Sequence, residues 1–340
     1  MNDASLDCSP DVTFVVAAFN AADTIRRAID SALAQEGVSV EVVVVDDRSS
    51  DATAAVVAAI EDPRLRLIAL ERNRGPGGAR NAGLAAARGR WIAILDSDDT
   101  VLPQRLRRMI DRAEAAEAQI VVDNLDVVSV DGGSLRMFPE AALAELGELT
   151  LPAFIESNVI FRSEHNFGYM KPVFERRFLE THGLRFDEAL RIGEDYILLA
   201  SALACGGRCA VEPSAGYAYQ IREGSISRVL KIEHIDAMLA ADETFLSRYA
   251  LDPLSQRMQS KRKRGFRQAR SFLVLVDQLK KKSLAGALRT ALADPFALRH
   301  LRMPIAARLR RLTARPKHSA AMTAAAERSP LSKHPHTSKG

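Results

Sequence analysis

The stretch Ile92-Ala93-Ile94-Leu95-Asp96-Ser97-Asp98-Asp99 joins an apolar run to three carboxylates within four positions. Carboxylates packed this closely repel one another, and burying them without a partner is costly. A bound cation is the simplest compensation. Ligands of open α/β sheets collect at the carboxyl ends of strands. The stretch therefore predicts a strand-end site for a hard metal ion that carries a phosphorylated ligand.

Strands and helices alternate on both sides of this stretch. Continuous apolar runs predict buried strands at residues 12–19, 38–45, 65–70, 91–95 and 120–124. Helices are predicted at about residues 22–36, 51–60, 80–87 and 103–118. A βαβαβ order gives a parallel sheet with right-handed crossovers. The residues therefore predict an α/β fold with a Rossmann-like, mainly parallel sheet flanked by helices.

The pattern is weaker over residues 125–190, where residues 162–169 indicate a surface loop facing a ligand. A clear helix is predicted at residues 197–204, followed by two strands at about 208–211 and 215–220. Beyond residue 230 the chain looks helical, and helices are predicted at about residues 231–249, 253–280 and 283–293.

Charge divides the chain into an acidic body and a basic C-terminal part. Residues 1–230 carry a net charge of −11, and residues 231–340 carry +15. Such an asymmetry indicates that the two parts meet different partners. We expect an N-terminal extension at residues 1–10, an α/β domain at 11–225, a helical basic region at 226–312 and a disordered tail at 313–340.

The sequence carries no sign of secretion or of a membrane span. The three cysteines are sparse and odd in number, which fits a reducing compartment. The first ten residues lack the apolar core of a signal peptide. No run approaches the roughly 18 apolar residues that span a bilayer. We therefore expect a cytoplasmic protein, with attachment to a membrane surface left open.

Acidic residues follow two of the predicted strands. Asp46 and Asp47 end one strand, and Asp96, Asp98 and Asp99 end another. Both ends lie on the same edge of a parallel sheet, so these carboxylates should converge. A diphosphate bridged by Mg²⁺ or Mn²⁺ uses one or two protein carboxylates. The structural alternative is that these residues cap the helices that follow.

Two further features lie on the same edge. Phe19 ends the first strand, where its ring could stack on a nucleobase or simply pack in the core. The glycine-rich stretch at residues 73–83 lacks the order of a dinucleotide fingerprint, and the chain has no P-loop. A flexible loop leading into Arg80 and Asn81 at a helix start suits contact with phosphate or ribose. A plain turn is the alternative.

Glu194 and Asp195 precede an apolar helix far along the chain. Helix capping would explain them. The functional interpretation is a general base, which needs a carboxylate within reach of an acceptor hydroxyl.

Together these motifs resemble family 2 glycosyltransferases of the GT-A fold, in the same order and over about residues 11–220. Most similar are the glucosyltransferases that build bacterial exopolysaccharides of the succinoglycan type. The motifs that carry the resemblance are Phe14-Val15-Val16-Ala17-Ala18-Phe19-Asn20, Val43-Val44-Val45-Asp46-Asp47-Arg48-Ser49-Ser50-Asp51, Asn73-Arg74-Gly75 with Ala79-Arg80-Asn81-Ala82-Gly83, Asp96-Ser97-Asp98-Asp99 and Gly193-Glu194-Asp195.

The resemblance implies an inverting, metal-dependent transfer of a hexose from a nucleotide sugar, expected to be UDP-glucose. Phe19 and Asp47 would contact the uracil. Asp98 and Asp99 would serve the ribose and a Mg²⁺ or Mn²⁺ ion, with Asp96 close by in the nucleotide-sugar site.

The resemblance also supplies the chemistry of the acceptor. Asp195 would deprotonate the acceptor hydroxyl, with Glu194 beside it. Attack at the anomeric carbon builds oxocarbenium character, and the cation neutralises the departing diphosphate. Two positions depart from the family pattern. Arg48 stands where Gly or Asn is usual, and Ala17-Ala18 replace residues that often carry hydroxyls.

The basic C-terminal helices have three possible roles. Lys and Arg clusters flank apolar helix faces, which favours an anionic membrane surface. The resemblance implies a polyprenyl-diphosphate-linked oligosaccharide acceptor, so we expect a peripheral position on the inner face of the cytoplasmic membrane. A purely structural layer on the catalytic domain is the second possibility for residues 231–280. Nucleic-acid binding is the third, and we expect none because no recognised module is present.

Two other functions remain open at this point, and a third is disfavoured. One is glycosyl transfer to a different cell-surface glycan, and another is a sugar-nucleotide-binding subunit without turnover. Nucleotidyl transfer would want a glycine-rich loop after the first strand, and Phe19-Asn20-Ala21-Ala22 is not one.

Overall fold

The computed structural model describes residues 9–160, 166–221, 230–296 and 298. Within these ranges no helix combines the length and apolar character needed to cross a bilayer. The predicted N-terminal extension and the predicted loop at residues 162–169 lie partly outside the described residues. Residues 297 and 299–312 of the predicted basic region, and the predicted tail at 313–340, lie outside them.

The strands of the described chain form one nine-stranded sheet. They are β1 (Val12–Ala18), β2 (Val40–Asp46), β3 (Leu65–Ala69), β4 (Trp91–Ile94), β5 (Thr100–Val101), β6 (Ile120–Val128), β7 (Ser134–Arg136), β8 (Val173–Glu175) and β9 (Cys209–Gln220). Across the sheet the order is β3-β2-β1-β4-β8-β6-β9-β5, and β7 pairs with β6.

The sheet is mixed. β1 pairs in parallel with both β2 and β4, and β2 with β3. β8 then runs antiparallel to both β4 and β6. This reversal matters for the site, because it brings the start of β8 to the carboxyl end of β4.

Helices within the described residues flank the sheet and continue beyond it. They are α1 (Ile25–Leu33), α2 (Thr53–Ala58), α3 (Gly75–Ala86), α4 (Arg105–Ala115), α5 (Glu140–Leu146), α6 (Leu151–Ser157), α7 (Arg176–Thr181), α8 (Glu194–Ala204), α9 (Ile232–Arg248), α10 (Pro253–Lys280) and α11 (Leu284–Ala293).

Burial explains why the central strands are apolar throughout. β2 and β4 are buried over their whole length, because helices cover both faces of a parallel region. α3 lies very close to β1. A Cβ at Gly83 would collide with Val15 Cγ1, so only glycine allows this contact. The close packing fixes α3 against β1.

Two sequence predictions are wrong in detail, and two short strands were not predicted. The two strands predicted at 208–211 and 215–220 are one strand, β9, with a register irregularity opposite residues 123–125 of β6. The glycine-rich stretch is not a flexible loop, because α3 already begins at Gly75 and Arg80 lies in its second turn. The short strands β5 and β8 were missed, since two or three residues are too few to show a period.

The predicted C-terminal helices are confirmed as α9, α10 and α11. Arg262 of α10 is buried against the ring of Tyr196 in α8, 3.4 Å from its centroid, and pairs with Asp242 of α9. Part of the basic character of this region is therefore structural. α11 packs on α10 through Ala287 and Leu275.

Candidate active site

The predicted site residues follow the carboxyl ends of three neighbouring strands. Phe19 follows β1 and its side chain is 52% exposed. Asp47 follows β2, and Asp96 lies two residues after β4. β1 lies between β2 and β4, so the two acidic ends share one edge but are separated by about 10 Å, or two strand spacings. These residues share one edge of the sheet, as predicted, and Phe19 lies between the two acidic groups.

Asp47 is buried and holds the start of α3. Its Oδ1 accepts from Arg74 N at 2.6 Å, and its Oδ2 accepts from Gly75 N at 2.8 Å. These bonds satisfy backbone N–H groups that a helix start leaves without partners. Burial raises the pKa of Asp47 despite both bonds. Its neighbour Asp46 is also buried, and Asp46 Oδ1 has no hydrogen-bond partner among the described residues.

Asp96 is held between two cations. Its Oδ1 accepts from Arg80 Nη2 at 2.8 Å, and its Oδ2 lies 2.7 Å from Lys171 Nζ. Burial would raise the pKa of Asp96, but the charges of Lys171 and Arg80 outweigh it and lower that pKa. Asp96 is therefore ionised at neutral pH.

Glu194 and Asp195 form the first turn of α8 and meet the same cations. Gly193 precedes them with φ +90°, a conformation that favours glycine. Glu194 is buried, with Oε1 2.6 Å from Arg80 Nη1. The side chain of Asp195 is 25% exposed and lies 3.2 Å from both Arg80 Nη1 and Lys171 Nζ. Burial and the charge of Asp195 raise the pKa of Glu194.

We call Arg80, Asp96, Lys171, Glu194 and Asp195 the strand-end charge cluster. Three carboxylates share two cations, so the cluster carries one net negative charge when all groups are ionised. Burial alone would lower the pKa of Arg80 and Lys171, but the surrounding carboxylates raise both. The cations therefore stay charged. Of the two acidic residues on α8, Asp195 is more exposed to solvent than Glu194.

Asp98 and Asp99 differ in their exposure to solvent. Asp98 is half-buried, and its backbone oxygen accepts from Arg27 Nη2. Asp99 is 1% exposed, and its carboxylate accepts from Gln220 N at 2.7 Å and from the Tyr217 hydroxyl at 2.8 Å. Burial, together with the charges of Asp96 and Asp98, raises the pKa of Asp99 to about 8.

Asn81 is engaged with the segment that leads to α8. Its Nδ2 donates to the backbone oxygen of Phe186, and its Oδ1 accepts from the backbone N–H of the same residue. Glu188 joins this contact through Asn81 Nδ2 and also pairs with Arg74. Asn81 thus ties α3 to the chain just before Glu194 and Asp195.

Sequence patterns missed two residues of the site. Lys171 lies two positions before β8, and the antiparallel pairing of β8 with β4 brings it beside Asp96. Tyr217 of β9 reaches Asp99 and accepts from Asp96 N. No local pattern marks either residue, because each depends on strand pairing across a long sequence separation.

A divalent cation fits this site only with help from its ligand. Among the described residues no group of three or more Asp, Glu, His or Cys side chains is arranged to hold a metal ion. A cation on a diphosphate needs only one or two protein carboxylates, however. Asp98, which is half-buried, is the candidate of the pair, and Asp99 is buried and bonded to Tyr217 and Gln220.

Comparison with known proteins identifies the family. The profile described as Glycosyl transferase family 2 matches residues 13–178. The chain is 78% identical over 348 aligned positions to the succinoglycan biosynthesis protein ExoO of Rhizobium meliloti (strain 1021), covering all of both chains. This chain belongs to glycosyltransferase family 2. Membership of family 2 means that the strand-end charge cluster belongs to a glycosyltransferase enzyme.

Two other similarities are one in sequence and one in fold. The Escherichia coli protein WfgD, named a UDP-Glc:α-D-GlcNAc-diphosphoundecaprenol β-1,3-glucosyltransferase, is 28% identical over 64% of this chain and 79% of its own. The crystal structure of Staphylococcus aureus TarS 1–349 in complex with UDP-GlcNAc has a TM-score of 0.61 at 17% identity, over 82% of this chain and 90% of that one. The expected GT-A fold of a family 2 enzyme is confirmed.

Proposed function

We propose that this enzyme transfers a hexose from a nucleotide sugar, UDP-glucose in the first instance, to a lipid-linked oligosaccharide during succinoglycan assembly. One observation carries the proposal: Asp195 lies beside the strand-end carboxylate Asp96, joined to it by Arg80 and Lys171. The proposed nucleotide site and the proposed base would thus meet at one point. The similarity to ExoO supports the pathway, and that to WfgD supports a diphosphopolyprenol acceptor.

The donor would lie along the strand ends. The exposed ring of Phe19 is suited to stack on the uracil, near Asp47 and the buried Asp46 oxygen that has no partner among the described residues. From there the ribose and diphosphate would extend past β1 towards Asp96 and Asp98. The separation of about 10 Å between the two acidic ends suits a nucleoside diphosphate better than a single metal site.

Asp98 is the carboxylate best placed to bind Mg²⁺ or Mn²⁺ together with the diphosphate. When bound, the cation neutralises the negative charge that the leaving diphosphate gains. Asp99 supports the same turn from beneath, because it holds Tyr217 and the backbone of Gln220. Asp96 takes part through its charge, since both of its oxygens already face cations.

Asp195 is the proposed general base. It would accept the proton of the acceptor hydroxyl as that oxygen attacks the anomeric carbon, while the bond to the diphosphate breaks on the opposite face. A single base and a single displacement invert the anomeric configuration, so no covalent nucleophile is needed. Glu194 is buried against Arg80 and would keep that guanidinium in place.

We also propose that the enzyme sits on the inner face of the cytoplasmic membrane. Leu284, Leu288 and Leu292 of α11 are 77%, 62% and 73% exposed and recur every four residues, so they form one apolar stripe. Lys280, Lys281 and Lys282 precede the stripe and are exposed. Leucines inserted among lipid chains, with lysines at anionic headgroups, would keep the enzyme near a lipid-linked acceptor.

The experiment that tests this function is a screen of radiolabelled nucleotide sugars with membrane lipid extracts as acceptors. We expect UDP-glucose to label a lipid-extractable product, and EDTA to prevent the labelling. A protein that binds UDP but labels no acceptor with any donor would instead be a non-catalytic subunit. Labelling only of another glycan would assign the enzyme to a different cell-surface polymer.

A further inference from the structure

Lys171 is the one residue of the strand-end charge cluster that the sequence motifs did not identify. Its side chain is 10% exposed, and its ammonium lies 2.7 Å from Asp96 Oδ2 and 3.2 Å from Asp195 Oδ2. Burying a lysine costs free energy unless carboxylates surround it. Here two carboxylates do so, and they raise its pKa. An ammonium held this close to two carboxylates acts as their counter-ion.

The contacts of Lys171 mirror those of Arg80. Asp96 and Asp195 each direct Oδ1 to Arg80 and Oδ2 to Lys171. The four groups therefore form a closed ring in which every carboxylate oxygen faces a cation. Both carboxylates are 25% exposed, whereas the two cations lie beneath them and are buried. The ring leaves the two carboxylates little freedom to change their separation.

Arg80 alone would hold Asp195 less well. Its Nη1 approaches Glu194 at 2.6 Å and Asp195 at 3.2 Å, so Glu194 takes the closer contact. Without Lys171 the carboxylates of Asp96 and Asp195 would repel each other across a single shared guanidinium. The Asp195 side chain could then rotate towards solvent.

We propose that Lys171 is a positioning residue that holds the carboxylate of Asp195 at a set distance from the donor-binding end of β4. This inference rests on the proposed function, because it assigns Asp195 as the base. A base displaced by about 1 Å can cost on the order of 100-fold in rate. Lys171 would thus act on the chemical step through Asp195 and would add little to donor affinity.

Direct binding of the donor diphosphate is the competing role for Lys171. It would require the ammonium to leave at least one of its two carboxylates and move out of a buried position. The two roles differ in what they predict. Diphosphate binding makes UDP affinity depend on Lys171, whereas positioning makes the turnover number depend on it only while Asp195 is present.

A double-mutant cycle on the full chain separates these possibilities. Lys171→Met, Asp195→Asn and the double variant are compared in kcat with UDP-glucose, and their UDP affinity is measured by calorimetry. We expect Lys171→Met to lower kcat about 100-fold, Asp195→Asn to lower it by roughly 10²–10⁴-fold, and the double variant to equal Asp195→Asn within about threefold. The Kd for UDP should change by less than about threefold in each.

The matched control is Lys263→Met, which removes a more exposed lysine paired with Glu243 and should leave kcat unchanged. If Lys171→Met does not fold, Lys171→Gln replaces it; this variant keeps a neutral donor, so its loss of kcat should be smaller and should still disappear when Asp195 is also replaced by Asn. A loss that multiplies in the double variant, or a Kd for UDP raised tenfold or more, would overturn the positioning role. Full activity in Asp195→Asn would instead refute the proposed function itself.

Discussion

The guanidinium of Arg80 lies 2.6 Å from Glu194 Oε1, although the two residues are 114 positions apart in the chain. Through the same side chain α3 also contacts Asp96 and Asp195. One buried cation therefore joins the donor side of the sheet to the start of α8. The arrangement of the candidate active site depends on this contact.

Removal of Arg80 should destabilise the fold as well as the site. Arg80→Ala leaves Glu194 without its cation and leaves Asp96 and Asp195 with only Lys171 between them. Breaking a buried ion pair costs roughly 3–5 kcal/mol. We expect the free energy of unfolding in urea to fall by about that amount. Arg26→Ala is the control, because its pair with Asp30 is exposed and should be worth less than about 0.5 kcal/mol. Equal stability of the two variants would contradict this account of Arg80.

Metal dependence should be traceable to Asp98. We expect EDTA to abolish transfer and added Mn²⁺ or Mg²⁺ to restore it. Asp98→Asn should lower kcat/KM by about 100-fold or more, since a cation on the diphosphate contributes several kcal/mol to transition-state stabilisation. Asp30→Asn, on the exposed face of α1, serves as the control in the same assay. Undiminished turnover in EDTA would refute the metal assignment.

Acid stability should depend on Glu41, which joins β2 to the turn after α3. Glu41 is buried and accepts from Thr13 Oγ1 at 2.6 Å and from Arg88 N at 2.7 Å. Burial alone would raise the pKa of Glu41, but these donors outweigh it and lower that pKa. A carboxyl with a lowered pKa in the folded state stabilises the protein above its unfolded pKa, and this stabilisation is lost as the pH falls.

Glu41→Gln tests that expectation. At pH 7 we expect the variant to lose roughly 1–3 kcal/mol of unfolding free energy, because buried donors are left with a weaker acceptor. The difference in unfolding free energy between the variant and the parent protein should shrink below a pH of about 4, where the Glu41 carboxyl of the parent becomes protonated. Urea unfolding at pH 7 and below a pH of about 4 measures this difference. Glu61→Gln, which changes an exposed glutamate, is the control. A difference that does not change with pH would contradict the linkage.

Membrane attachment should require the leucine stripe of α11. Replacing Leu284, Leu288 and Leu292 together by Gln removes the apolar contact, worth about 1.5–3 kcal/mol per fully buried leucine. We expect sedimentation with vesicles containing anionic lipid to fall by tenfold or more. Leu135→Gln is the control, because Leu135 of β7 is 67% exposed and lies outside the stripe. Unchanged sedimentation of the triple variant would refute this surface.

The fold was largely predictable because its central strands are continuous apolar runs, each followed by polar residues. The same runs led correctly to the edge that carries Phe19, Asp47 and Asp96. The C-terminal helices were also predictable, since their apolar residues recur at helical spacing. The predictions that failed concern short segments. β8 was not predicted because it has only three residues. The glycine-rich stretch was predicted to be a loop, although it forms the first turns of α3.

The site was predictable only in part, for a physical reason. Carboxylates at strand ends are visible in sequence, whereas their counter-ions are not. Arg80 was expected to meet a phosphate or ribose, but in the structure it is buried among Asp96, Glu194 and Asp195. Lys171 had no signal at all, because only the antiparallel pairing of β8 with β4 brings it to the site.

The most direct test of the proposed reaction centre is the turnover of Asp195→Asn with UDP-glucose and a lipid-linked acceptor. The substitution keeps the size of the side chain but removes its negative charge, and with it both its ability to accept a proton and its ion pairs with Arg80 and Lys171. We predict that kcat falls by roughly 10²–10⁴-fold while UDP binding stays within about threefold of the parent enzyme. Turnover within about threefold of the parent enzyme would contradict the assignment of Asp195 as the base.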